Sequence, residues 1–218
     1  METRRAESFS DGVFAVAITV LVFNLLPIAD KSIPHFTELF RSNWPQYAAY
    51  VGSFVTIGIM WLNHHTMMSY LARVDRTLLV LNGLLLMGVV AVPFPTALIA
   101  DSLGAHPNVN AKVAAVTYGV LLTAMSIAFA SMWLYISAHG AKLCSQPVAS
   151  SARSTIRFTG GLVAYVAGTV IGFVWPIVSV ILYALIAVYY VFEHLPDASS
   201  TAAELPDSRE NPDARFDP

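Results

Sequence analysis

Charge is scarce in this chain of 218 residues: 12% are Asp, Glu, Lys or Arg, where a soluble domain carries about a quarter. With 56% hydrophobic residues and a mean hydropathy of +0.61, that scarcity excludes an ordinary water-soluble globule and indicates a polytopic membrane protein. Cysteine is limited to Cys144, so no intrachain disulfide can form, and no metal-ligand spacing surrounds it. A basic excess is missing too, since the net charge is −2, and nucleic acid is not an expected partner. Catalytic signatures are absent: there is no Gly-x-Ser-x-Gly, His-Glu-x-x-His, P-loop or Gly-x-Gly-x-x-Gly. No enzyme activity, metal or cofactor is implied. The Thr-Val-Gly-Tyr-Gly loop of ordinary potassium channels is missing, since Thr117-Tyr118-Gly119 lies in mid-span. An Arg-rich voltage sensor, paired intramembrane acids and internal repeats are missing as well.

What is present is a series of apolar blocks. Six spans can be drawn, at about 8–28, 45–71, 77–99, 112–137, 156–174 and 176–193. Each has the roughly twenty residues that a ~30 Å hydrocarbon layer requires at ~1.5 Å per residue. The first follows Arg4 and Arg5 in the manner of a signal peptide, but the run is long and lacks a clean small-x-small site, so it reads as a retained span. Trp175-Pro176 reads as a tight outer turn rather than a kink in one long helix, and Pro93 and Pro95 end or bend the third span. The link 30–44 is expected to hold about one helical turn. Gly168-x-x-x-Gly172 offers a close-packing stripe.

Basic residues set the orientation. With the N-terminus inside, inner segments hold Arg4, Arg5, Arg73, Arg76, Lys142, Arg153, Arg157, Arg209 and Arg215, whereas outer links hold only Lys31, Arg41 and Lys112. Both termini are therefore expected in the cytosol, with the chain crossing the cytoplasmic membrane several times. Residues 1–195 form the membrane domain on this reading. The stretch 196–218, rich in Asp, Glu, Pro, Ser and Ala, is expected to be a disordered cytoplasmic tail.

Two constellations could carry chemistry. On the first span Gly12, Val16, Thr19, Val20, Phe23 and Pro27 share one stripe at ~100° per residue. It is apolar apart from the Thr19 hydroxyl, and several copies around an axis would make a narrow tube that gates by dewetting. Every membrane helix has apolar stripes, so geometry alone favours ordinary helix packing or lipid contact; Asp11 points away from this one, toward a neighbouring helix of the same subunit. The second constellation pairs Arg5, Phe9, Ser10 and Asp11, at the inner end of span one, with Trp61, Asn63, His64 and His65 on the inner half of span two. Polar groups at that depth need partners. Adjacent His64 and His65 point ~100° apart and do not readily share a metal, so hydrogen bonding within the bundle is expected. The network would fix the helix or sense protons, or act purely as helix glue.

Arg5-x-x-x-Phe9-Ser10-Asp11, together with Trp61-x-Asn63-His64-His65 and the six-span layout, resembles the lysosomal potassium channel family, transmembrane protein 175, in its prokaryotic form. The resemblance implies an all-α membrane protein with six transmembrane helices per subunit, assembled as a homotetramer whose first helix lines a central pore. It implies a potassium-permeable cation channel closed by bulky side chains, with no carbonyl selectivity filter. Val16, Val20 and Phe23 match the constriction positions, and Thr19 matches a threonine contributing to selectivity in eukaryotic members. The family's Arg, Ser and Asp pack on span-two His, Trp and Asn. Val16 is smaller than the Ile or Leu usual there, and Phe23 is larger. The partners on this reading are potassium ions, the lipid bilayer and further copies of the chain. The competing expectation is a proton-coupled secondary transporter, with His64 or His65 as the ionisable group.

Overall fold

Six rods of membrane-spanning length run alternately up and down in a computed structural model, which describes residues 3–26, 36–102, 109–144 and 152–193. Helix α1 (Thr3–Val20) continues into a 3-10 segment, Leu21–Leu25. A short helix, α2 (Phe36–Ser42), leads into α3 (Trp44–Ser69). The third rod is α4 (Arg76–Ala91) followed by α5 (Pro93–Ser102), and α6 (Val109–Leu143) is the fourth. The last two rods are α7 (Ala152–Gly172) and α8 (Pro176–Glu193). The tail 196–218 and Pro27 lie outside the described residues.

Local chemistry explains most boundaries. Asp75 caps α4 by accepting from the Leu78 N–H at 2.9 Å, and its other oxygen accepts from the Tyr135 hydroxyl at 2.6 Å. The Tyr135 bond, then the Leu78 bond, hold this carboxyl below the usual carboxylate range. Pro93 bends the third rod rather than ending it. The Val92 N–H falls back on Val89 O at 3.2 Å, and the Pro93 carbonyl is taken by Asn24 Nδ2 at 3.1 Å. The fifth and sixth rods are joined by a tight turn in which the Trp175 N–H donates to Ile171 O at 2.8 Å and Pro176 opens α8. α2 has seven residues, about two turns instead of the expected one.

Three rods, 3–25, 76–102 and 109–143, are long and apolar enough on composition alone to cross a membrane. α3 has 26 residues, ample length for a crossing, and buries Ser53, Thr56 and His64 inside the bundle. α6, with 35 residues or roughly 50 Å at 1.5 Å per residue, outruns the hydrocarbon layer and breaks its helical backbone at His139.

α6 is the hub, packing against α4, α5, α7 and α8. Its Leu122, Met125, Met132, Trp133 and Ile136 are fully buried with Ile57, Met67, Met68 and Leu85. The methionines fill irregular gaps between the rods. Glycines set the closest approaches. A Cβ at Gly119 would land on the Tyr183 hydroxyl, and one at Gly168 would come within 2.6 Å of the Tyr183 ring. Ser179 Oγ donates to the Gly168 carbonyl at 2.7 Å, so the Gly168-x-x-x-Gly172 stripe seats α8 on α7. Gly119→Leu is expected to cost about 1–3 kcal/mol through overpacking, seen as a lower thermal midpoint in detergent. An unchanged midpoint would mean that Tyr183 is free to swing aside.

α1 sits at one edge of the bundle, against α3 and α4, and the α7–α8 hairpin forms the other edge. Of its most apolar stretch only 22% is buried within the chain, against 56% for α6.

Candidate functional site

The buried face of α1 is made by Ala6, Ser10, Phe14 and Ala17 and continues through Leu21. The period is that of an α-helix with one covered side. The other side is bare. Phe9 (66% exposed), Gly12, Val16 (59%), Thr19 and Phe23 (57%) face outward, with Val20 half-buried at their margin. The tightening at Leu21–Leu25 alters the register expected for a uniform α-helix, because side chains three apart come closer to eclipsing in a 3-10 segment; Phe23 stays on the exposed side. The Thr19 hydroxyl donates to Ala15 O at 2.8 Å, which leaves its oxygen lone pairs as the free polar feature of the stripe.

Behind this stripe runs a directed hydrogen-bond chain. Asn82 Nδ2 donates to Ser10 Oγ at 2.9 Å, and Ser10 in turn donates to Ala6 O at 2.9 Å. Asn82 Oδ1 lies 2.8 Å from His64 Nε2. Because Asn82 spends its amide on Ser10, its oxygen is the acceptor and the proton sits on His64 Nε2. Ser10 and His64 have no exposed surface at all, and Phe14 lies over the imidazole with ring centroids 5.5 Å apart. The chain therefore ties α1, α4 and α3 together in the dry interior.

Two rungs at the edge join α1 to α3 in antiparallel register. Trp61 Nε1 donates to Asp11 Oδ1 at 2.9 Å, and His65 Nδ1 lies 3.1 Å from Glu7 Oε1. Glu7 and Asp11 are one turn apart on α1, as are Trp61 and His65 on α3, whose rings stack at 5.9 Å. These groups are partly exposed: the His65 side chain at 54% and that of Glu7 at 26%.

The expected constellation is thus divided. Ser10 and His64 enter the buried chain, whereas Asp11, Trp61 and His65 form the edge rungs. His64 and His65 diverge to different partners, as their ~100° separation requires. Asn63 turns to the far side of α3 and lines a cavity of about 50 Å³ with Ser126, Tyr165 and Tyr190. Arg5 and Phe9 are exposed and make none of these contacts. Asn82 and Glu7 were not singled out in the sequence. Asn82 could have been, as the lone polar side chain within Leu78–Val92, where an intramembrane polar group marks a site by default. Glu7 was signalled only by its one-turn spacing from Asp11.

A family model described as endosomal/lysosomal potassium channel TMEM175 matches residues 5–93, which contain the stripe, the rungs and Asn82. A potassium channel of Streptomyces collinus is 42% identical over 204 residues, covering 93% of this chain and 98% of that protein. A potassium channel of Chamaesiphon minutus is 46% identical over 134 residues, 61% of this chain and 64% of that one. Among solved structures, a lysosomal potassium-selective channel TMEM175 homolog from Chamaesiphon minutus superposes with a TM-score of 0.72 at 35% identity, covering 88% of this chain and 97% of that chain.

Proposed function

The chain belongs to the endosomal/lysosomal potassium channel family TMEM175, and from that premise we propose that it is a potassium-permeable cation channel of the cytoplasmic membrane, a homotetramer whose copies of α1 surround a central pore. Membership places it among channels rather than enzymes. One observation carries the reading. The edge helix α1, within the segment that the family model matches, leaves an apolar stripe bare and keeps its carboxylates off it: Glu7 and Asp11 lie on the side turned to α3, paired with His65 and Trp61. Copies of the chain meeting along such a stripe would enclose a narrow apolar tube.

On this reading Val16, Val20 and Phe23 ring the axis and close it by dewetting, without a carbonyl filter. Thr19 supplies the one side-chain oxygen among them, with its proton already committed to Ala15 O; the remaining lone pairs suit a cation or its water. The buried chain Ser10–Asn82–His64 and the rungs Asp11–Trp61 and Glu7–His65 hold α1 in register. Arg5 and Phe9 lie on the bare side, at the pore entrance or against a neighbouring copy. The excess of Lys and Arg in the inner links supports an orientation with both termini in the cytosol.

Mass in mild detergent and potassium flux into proteoliposomes test this together. The expected result is a tetramer with passive, gradient-driven flux. A monomer without flux overturns the proposal, and saturable uptake driven by a pH gradient would replace it with a proton-coupled transporter.

A further inference from the structure

On the far side of the bundle from the N-terminus of α1, a crevice of about 270 Å³ separates the first half of α3 from the first half of α8. Small residues, Ala48, Ala49 and Gly52, line the α3 wall, and Ile177, Ile181 and Ala184 line the facing wall. Trp44 stands at its mouth. Near the same end lie Phe40, stacked on Tyr47 at 5.0 Å, and Trp175 in the α7–α8 turn. Aromatic side chains gathered at one end of a helix bundle mark the membrane interface. The crevice therefore begins at headgroup level and runs inward through the depth of acyl chains.

The hydroxyls in its floor are already spent. Thr96 donates to Val92 O at 2.7 Å, which makes the Ser53 hydroxyl the donor to Thr96 at 2.7 Å and the Tyr118 hydroxyl the donor to Ser53 at 3.0 Å. Thr56 donates to Gly52 O at 2.8 Å, and Tyr183 faces Thr169 at 3.4 Å. With every donor directed into protein, the floor offers little to water or to a polar ligand, and an apolar cavity of this size takes an apolar guest in preference to water. The crevice also faces away from α1. At ~100° per residue, Ala48, Gly52 and Thr56 lie on the opposite side of α3 from Trp61 and His65, which face α1. With α1 at the axis, as proposed above, that side is the periphery of the assembly.

We propose that this crevice holds one acyl chain of a phospholipid from the leaflet opposite the N-terminus of α1. The peripheral placement depends on the pore reading; the apolar lining and the saturated floor do not. The floor is also linked to α1 at one remove: Ser53 bonds Thr96 of the helix that Pro93 opens, and the Pro93 carbonyl is held by Asn24, beside Phe23. An occupant would thus bear on the 3-10 end of α1.

Native mass spectrometry of the full chain, extracted in mild detergent with its own lipid, reads oligomer size and retained lipid at once. Gly52→Leu fills the crevice from one wall, and an added Cβ there meets nothing within 4 Å; Ala184→Leu fills it from the other wall should the first variant not assemble. The wild-type chain is expected to retain a phospholipid on each subunit, and the filled variants to lose it while keeping oligomer mass. Equal retention in variants and wild type, no retained lipid in the wild type, or a free fatty acid in its place would overturn the proposal. So would disulfide cross-linking between copies through Ala48→Cys, which would show a second copy sealing the crevice. Lipid retention is read without any flux measurement, so failure of the channel assay and failure of this proposal are separate results.

Discussion

Replacing Val16 and Val20 together by Ser is expected to raise potassium flux in proteoliposomes about tenfold or more, since each ~1.4 kcal/mol removed from a barrier is a factor of ten. Both positions lie on the uncovered side of α1, Val16 at 59% exposure and Val20 at its margin, so the substitution leaves the core of the subunit intact. In a tetramer the change lines two successive rings with hydroxyls. Water held there by hydrogen bonds removes the dewetting barrier that an apolar ring imposes on an ion. Because Phe23 is exposed on the same side, part of the closure remains, and Phe23→Ser added to the pair is expected to raise flux further. Unchanged conductance in a correctly assembled Val16→Ser/Val20→Ser tetramer would show that ions cross elsewhere.

Asn82→Leu is expected to be among the most damaging single changes to the subunit. It leaves the His64 Nε2–H without its acceptor and removes the donor to Ser10, at two side chains with no exposed surface. An unsatisfied buried polar group costs about 1–3 kcal/mol, while hydrogen bonds between membrane helices average about 0.6 kcal/mol net. Ser10 keeps its bond to Ala6 O, so the orphaned His64 N–H is the dominant cost. The discriminating comparison is the triple replacement Ser10→Ala/His64→Leu/Asn82→Leu, which removes every partner and should recover most of the thermal midpoint lost by Asn82→Leu alone. If the triple variant is less stable than the single one, the chain does more than satisfy itself, and His64 has a role that apolar packing does not replace. Asp11→Ala, by contrast, removes a partly exposed rung from Trp61, and a smaller loss is expected.

Much of the architecture was legible beforehand. Rod number and turn positions follow from blocks of about twenty apolar residues separated by charge, Pro and Gly, because a hydrocarbon layer admits backbone only as satisfied helix. The sixth rod begins and ends where the sequence places it, 176–193, and the bare stripe of α1 follows the helical period up to Val20. Two features were not legible. The 3-10 tightening at Leu21–Leu25 precedes Pro27, which has no N–H for the Phe23 carbonyl four residues back, but that proline does not reveal that Asn24 reaches across to the Pro93 bend, a residue far away along the chain. The partners of the polar side chains were also hidden. Depth alone allowed Ser10 or Asp11 to meet any of Asn63, His64 and His65, since depth says nothing about which face of α3 turns toward α1.

Taken alone, the sequence determined class, span and family signature, because hydropathy and helical period are properties of neighbours along the chain. The tertiary structure alone decided that Asn82 and not Asp11 completes the buried chain with His64, that Asn63 points away from α1, and that small residues on α3 and α8 leave an apolar crevice open. Those outcomes depend on how each rod rotates about its own axis. That rotation is set by packing against α6 and the neighbouring rods, which brings together residues distant in the chain.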